Sequence, residues 1–234
     1  MKESIFKEYP YRIELHAHSN PCSGCSHLSP EELVRLYAEK GYDGIVLTNH
    51  FESGKLPLGK AEAVAMVMGD YKAARNTAKQ YNMEVYLGAE LRFCENINDY
   101  LIYGVNEELL GLFFDYIPRD AATFRREVSL PDSVFLQAHP FRSNMVLCDP
   151  RLLDGMECLN LHPRHNSAVG LATAYAYEKN LKIKIAGGDC HRAGDEGLVA
   201  LRTRVLPKDS FEIASILKSG DYVFEIGKGS LWIP

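Results

Sequence analysis

Tyr11-Arg12-Ile13-Glu14-Leu15-His16-Ala17-His18-Ser19, Ser29-Pro30-Glu31-Glu32-Leu33 and Asp43-Gly44-Ile45-Val46-Leu47-Thr48-Asn49-His50 read in succession as strand, helix and strand. The first stretch alternates and carries β-branched and aromatic residues as far as Leu15, so its two histidines sit just beyond a strand. In the second, Ser29 is an N-cap, Pro30 takes the first helical position, Glu32 stands at the capping-box position, and Gly41 supplies the stop. The third has the unbroken Ile-Val-Leu centre of a strand buried on both faces of a parallel sheet, and it delivers Asn49-His50 at its end.

Working outward, the pattern repeats. A helical stretch over 60–82 leads to a strand over 84–88 and then to Glu90. A strand over 133–137 runs to His139, and one over 156–159 precedes a helix over 167–179. A strand over 182–186 runs to Asp189-Cys190-His191. Alternating strands and helices predict an α/β fold of parallel βα units in one domain spanning residues 1–234, open or closed into a barrel. Either architecture places ligand sites at the carboxyl ends of the strands. His16, His18, His50, Glu90, His139, Asp189 and His191 all fall there. No Gly-x-Gly-x-x-Gly or P-loop supports a dinucleotide or NTP reading. Residues 118–130, with Arg119, Arg125 and Arg126, are expected as a helix near the mouth of that site or as a solvated face. Phe113, Phe114 and Tyr116 are expected in the core.

The 234 residues include 26 Lys and Arg against 31 Asp and Glu, a net charge of −5, which gives no long-range positive field for nucleic acid or an anionic membrane. With 46% hydrophobic and 24% charged residues, disordered, collagen-like and coiled-coil classes fit poorly. No apolar run approaches the roughly 18 residues of a membrane span, and Met1 to Glu8 interleaves charges where a signal peptide is apolar. A cytoplasmic protein is expected. Six cysteines are too sparse for a disulfide scaffold, and the Cys22-x-x-Cys25 pair lacks the second pair of a zinc ribbon.

The seven strand-end side chains point to metal chemistry, because alternate residues of a strand face the same way and His-x-His can grip one ion. Imidazole plus carboxylate suits Zn, Mn or Fe, and the two oxygens of Glu90 can bridge two ions. Bridged ions lower the pKa of bound water towards ~7 and stabilise both oxygens of an in-line displacement, as phosphoester hydrolysis requires.

Five ordered motifs carry a family resemblance: His16-Ala17-His18-Ser19, Thr48-Asn49-His50, Gly88-Ala89-Glu90, Gln137-Ala138-His139-Pro140 and Gly188-Asp189-Cys190-His191. Together with Ser-Pro-Glu-Glu-Leu and Gly-Tyr-Asp-Gly-Ile between residues 28 and 50, the chain resembles the PHP (polymerase and histidinol phosphatase) family from about Tyr11 to Val223. The resemblance implies a distorted (β/α)7 barrel with a trinuclear metal site and phosphoesterase activity. One ion would take His16, His18, Glu90 and Asp189, a second would share Glu90 with His139, and a third would use His50 and His191. Two further family ligand positions are altered. Cys25 falls where His or Asp is usual, and as a thiolate it suits zinc. The strand near 100–105 lacks the family's histidine, leaving Asn106 or Asp99 as the nearest oxygen donor.

Arg142 and Arg192, in loops beside proposed ligands, suit phosphate oxygens, and with Asp189 and His191 they make up the expected catalytic set. His162, Arg164 and His165 resemble an Arg-His-Asn stretch of the family and are expected either to shape the pocket or to serve as a structural loop, and Glu157 is expected either to support a ligand from behind or to be a buried, paired carboxylate. Cys158 and Cys190 read as packing residues. The leading expectation is a phosphoesterase that hydrolyses a small phosphomonoester with two or three divalent ions. A nucleotide or phosphodiester-end hydrolase, and a metal-binding barrel with reduced turnover, are the alternatives.

Overall fold

The computed structural model describes residues 2–227 and 229–234. Helix α1 (Lys2–Glu8) precedes β1 (Tyr11–Ala17), α2 (Pro30–Glu39), β2 (Gly44–Leu47) and the short β3 (His50–Phe51). Next come α3 (Lys60–Ala78), β4 (Glu84–Leu87), β5 (Ala89–Arg92) and β6 (Asp99–Tyr103). Helices α4 (Glu107–Tyr116) and α5 (Ala121–Glu127) lead to β7 (Val134–Gln137), β8 (Gly155–Asn160), α6 (Val169–Glu178) and β9 (Ile183–Gly187). They are followed by β10 (Val199–Thr203), α7 (Ser210–Ser219), β11 (Val223–Ile226) and β12 (Ser230–Trp232).

The capping box forms as expected: Glu32 N donates to Ser29 Oγ at 3.2 Å, and Ser29 N donates to Glu32 Oε2 at 2.9 Å. Leu33, Val34 and Tyr37 then bury one face of α2, and Gly41 ends the turn at a φ of +71°. The expected helix over 60–82 is shorter. It gives way after Ala78 to a 3₁₀ turn, Lys79–Tyr81, and Asn82 takes a left-handed φ of +51°.

Two six-stranded sheets form, in the orders β12-β11-β10-β1-β2-β4 and β3-β5-β6-β7-β8-β9. They meet along two seams. At one, β2 continues into β3 and β4 into β5, with Gly88 N donating to Leu47 O and Glu90 N to Asn49 O. Gly88 is needed there, since a Cβ would lie 2.8 Å from Val46 Cγ1. At the other seam, Ala17 bridges Cys190 in parallel and His18 N donates to Cys190 O at 3.0 Å. Leu15, Val46, Leu101, Leu136, Ile185 and Leu201, all fully buried and drawn from both sheets, fill the space between them.

The α/β class is as expected, but the sheets are mixed where a parallel (β/α)7 ring was expected. β6 runs antiparallel to β5 and β7, and β10 runs antiparallel to β1 and β11. The reason is connection length. Only residues 93–98 separate β5 from β6, whereas a parallel return needs a crossover of about a dozen residues or more. Likewise no helix lies between β9 and β10. Among the described residues, no helix is long and apolar enough to cross a membrane.

Candidate metal centre

His16 and His18 project from the end of β1 on one face, both fully buried. In the second sheet His50 of β3 is in register with Glu90 of β5. His139 follows β7 and Asp189 follows β9, each with a left-handed φ, +27° and +53°. Backbone held in that region costs about 1–3 kcal/mol for a residue with a side chain, and such residues cluster at functional sites.

These side chains converge on Glu90. Its Oε1 lies 3.0 Å from His139 Nε2 and 3.3 Å from His16 Nε2, and its Oε2 lies 3.1 Å from His50 Nδ1 and 3.4 Å from His18 Nε2. Asp189 Oδ1 faces His16 Nε2 at 3.5 Å, His18 Nε2 at 3.4 Å and His191 Nδ1 at 3.3 Å. His18, His50 and His191 each offer a ring nitrogen within 4.8 Å of the others, and His50, Glu90 and Asp99 do the same with their ligand atoms.

The electrostatics are those of a cation site. Burial opposes charge on His16, but Asp189, Glu157 and Glu90 outweigh it and raise its pKa well above the ordinary value. His18 is held well below, by burial and by its neighbours His191 and His50. Burial likewise works against ionised Asp189 and Glu90, yet His16 and the other imidazoles keep both carboxyls well below the usual range. His16 Nε2, His18 Nε2 and His50 Nδ1 are buried without an aligned hydrogen-bond partner although carboxylate oxygens stand 3.1–3.5 Å away. Ring nitrogens without partners that share one space with carboxylates, and that can give up their protons to a bound cation, fit divalent ions.

A supporting layer lies behind. Glu157 Oε1 pairs with His16 Nδ1 at 2.8 Å, and its Oε2 accepts His139 N at 2.9 Å. Carboxylates behind imidazoles fix ring orientation and ligand basicity in metal sites. Glu14 Oε1 accepts the N–H groups of Leu15, His16 and Gly188, and Tyr37 OH donates to Oε2. Gly187 and Gly188 let these carboxylates approach: a Cβ would lie 2.4 Å from Glu157 Oε1 in one case and 2.6 Å from Glu14 Oε2 in the other.

The centre opens into a cleft of about 420 Å³ lined by Cys25, Asp99, Arg92, Arg142, Arg164 and Arg192 among others. Cys25 is exposed at its edge with Sγ 3.1 Å from His191 Nε2. Burial pushes its thiol up, but hydrogen bonds with His191 and His50 outweigh this and bring it down to about 6. Of the two oxygen donors expected for the altered strand position, Asp99 is the one that arrives, 3.8 Å from His139 Nε2 and paired with Arg92 through two 2.7 Å hydrogen bonds. Asn106 instead caps α4, accepting from Leu109 N at 2.9 Å. Arg142 Nη2 is bound to Asp189 Oδ2 at 2.6 Å and to Asn160 Oδ1 at 2.8 Å. Arg192 is exposed on the rim, its N–H held by Asp195. Arg164 is clamped by both oxygens of Asp195, and His162 and His165 line the same wall.

No residue of 118–130 lines the cleft. Arg125 pairs with Asp154 and Arg126 with Glu127, the solvated-face reading. Sequence reasoning missed Asn160 and Asp195. Asn160 Nδ2 donates to both Glu157 Oε2 and Asp189 Oδ2. Its place at the last position of β8, on the rim that carries the ligands, is the signal that could have found it.

The sequence profile of the PHP domain matches residues 14–181, more than half of the chain. The chain belongs to the PHP domain family. The profile match stops short of Asp189 and His191, which the fold brings beside the PHP motifs of β1 and β5. This PHP chain is similar in fold to PsfC from Pseudomonas syringae PB-5123, with a TM-score of 0.66, 13% identity, and 93% of this chain and 92% of that one covered. It is also similar to a two-domain protein from Bacteroides vulgatus ATCC 8482 that contains a predicted PHP-like metal-dependent phosphoesterase. There the TM-score is 0.63 at 16% identity, with 93% of this chain and 65% of that chain covered. A search of curated protein sequences returns no significant match.

Proposed function

We propose that this PHP protein is a metal-dependent phosphoesterase that hydrolyses a small phosphomonoester. The observation that carries the reading is the division of Glu90, one oxygen facing His16 and His139 and the other facing His18 and His50, beside a cleft rimmed with arginines. His16, His18, Glu90 and Asp189 would hold one ion, Glu90, His139 and Asp99 a second, and His50 with His191 a third; zinc, manganese and iron all suit these donors. Bound divalent ions supply Lewis-acid stabilisation of phosphoryl oxygens and a water acidified enough to act as nucleophile.

The chain's own groups do the rest. Arg192, exposed on the rim, is placed to meet the incoming phosphate dianion, and Arg142, whose Nη2 binds Asp189, lines the same cleft as a second guanidinium. Guanidinium groups fixed before the substrate arrives stabilise charge on phosphoryl oxygens without reorganising. A cleft of about 420 Å³ suits a small molecule rather than a polymer, and the net charge of −5 works against long nucleic acid and anionic membrane as partners. Six unpaired cysteines fit a cytoplasmic setting.

The test is phosphate release from a panel of phosphomonoesters by chelator-stripped protein with Zn, Mn or Fe(II) restored and Asp189→Ala alongside. Release that needs both the metal and Asp189 supports the reading. Release only from diesters or nucleotide ends moves it to that class, and no release from folded, metal-loaded protein overturns it in favour of a binding protein.

A further inference from the structure

We propose that Cys25 is a thiolate ligand in the corner of the centre formed by His50 and His191, and that this corner selects zinc or another thiophilic ion over manganese. The inference rests on the metal-centre reading above and extends it to the identity of one ion. Cys25 Sγ stands 3.1 Å from His191 Nε2 and lines the cleft together with His50. It is not an isolated thiol. His18, His50 and His191 bring ring nitrogens within 4.8 Å of one another, and the fully buried His18 Nε2 has no hydrogen-bond partner.

The loop presenting Cys25 is fixed on both sides. Ser23 Oγ accepts from His50 N at 2.9 Å and donates to Asn49 Oδ1 at 3.0 Å. Ser26 Oγ reaches the carbonyls of His18 at 3.0 Å and His191 at 3.2 Å, and His27 N donates to His191 O at 2.9 Å. Position 25 is thus tied to the backbones of three candidate ligands. Cys22 faces the other way: it is buried, its N–H donates to Asp70 Oδ2 and its carbonyl accepts from Lys55 Nζ. The Cys-x-x-Cys is therefore split between core and cleft, and one sulfur serves the site. A soft thiolate beside imidazoles favours zinc, whereas the carboxylate-rich remainder around Glu90 and Asp99 also suits manganese.

Cobalt(II) tests this directly. Stripped full-length protein is refilled with Co(II) and its absorption recorded: ligand-field bands in the visible report occupancy, and a sulfur-to-cobalt charge-transfer band in the near ultraviolet reports the thiolate. The wild type is expected to give both, and Cys25→Ser only the ligand-field bands. In a Zn/Mn competition read by elemental analysis, Cys25→Ser and Cys25→Asp are expected to lose zinc preference on the order of 10- to 100-fold, since even groups that merely support a ligand cost that much. Cys25 is exposed, and a circular dichroism spectrum confirms that both variants fold. Ligand-field bands without charge transfer in the wild type, or charge transfer that survives Cys25→Ser, overturn the proposal while leaving the metal centre standing. Failure to bind Co(II) at all overturns the metal-centre reading itself.

Discussion

Arg142 Nη2 lies 2.6 Å from Asp189 Oδ2, so the carboxylate that faces His16, His18 and His191 with one oxygen is anchored through the other by a guanidinium. The anchor limits Asp189 to one oxygen for the centre and fixes its direction. It also divides Arg142, which spends Nη2 on Asp189 and Asn160 and keeps an unpartnered Nε. Across the cleft Arg92 holds Asp99 by both oxygens, Nε on Oδ1 and Nη2 on Oδ2. Each arginine offsets a buried carboxylate that would otherwise raise the cost of assembling the site.

Arg142→Ala is therefore expected to lower kcat/KM for a phosphomonoester by roughly 10- to 100-fold, the scale of a lost charge-assisted hydrogen bond of about 1.5–3 kcal/mol. Arg142→Lys should restore only part, because a point charge cannot hold Asp189 and meet phosphate at once. Steady-state kinetics at matched metal content decide it. Full activity in Arg142→Ala would remove the arginine from the mechanism.

Glu157→Gln tests the layer behind the ligands. Glutamine can still accept from His139 N, but its amide N–H cannot accept the Nδ1–H of His16 that the carboxylate now faces at 2.8 Å. Metal affinity is expected to fall about 10- to 100-fold with the fold retained. Titration of stripped protein with Zn(II), followed by calorimetry, measures it.

Much of this was legible beforehand where the chain signals locally. Ser29, Glu32 and Gly41 announce α2 through their own hydrogen bonds, and Ile45-Val46-Leu47 announces a doubly buried strand. His16, His18, His50, His139 and Asp189 were findable because each ends or follows a strand at one rim. What stayed hidden depends on neighbours distant in sequence. The choice between Asp99 and Asn106, both named as donors, was open: Asp99 joins the centre because β6 pairs antiparallel with β5, placing it beside Arg92 in register, and a strand's direction is not written in its own residues. The family resemblance singles out Cys25 and not Cys22, and the structure gives the physical difference: Asp70 and Lys55 hold the backbone of Cys22, while His191 faces the sulfur of Cys25.

Two glycines give opposite outcomes for the same substitution. Gly187→Ala would set a methyl 2.4 Å from Glu157 Oε1 and 2.6 Å from His16 Cβ, both buried and held, so a loss of about 1–3 kcal/mol and weakened metal binding are expected. Gly170→Ala, in α6 with nothing within 4 Å, should be neutral or stabilise by up to about 1 kcal/mol. Urea denaturation of the two variants against wild type checks both signs.

Glu14 supplies a pH signature separate from catalysis. Burial pushes its carboxyl from an ordinary 4.5 up to about 7, only partly offset by the N–H groups of Gly188 and His16 and by Tyr37 OH. A raised carboxyl pKa means that the folded chain holds a proton the unfolded chain has released. The stability this contributes is complete below about 4.5 and is lost as pH rises through about 7, a change of about 3 kcal/mol at 1.36 kcal/mol per unit. Glu14→Gln keeps an acceptor for the three N–H groups, lets Tyr37 OH accept instead of donate, and never ionises. In chelator-stripped protein the variant should match wild type near about pH 5 and exceed it by up to about 3 kcal/mol near about pH 8. Bound cations would favour the charged form, so adding Zn(II) is expected to narrow the gap. Denaturation curves that stay parallel across this range would show that Glu14 does not carry the buried charge.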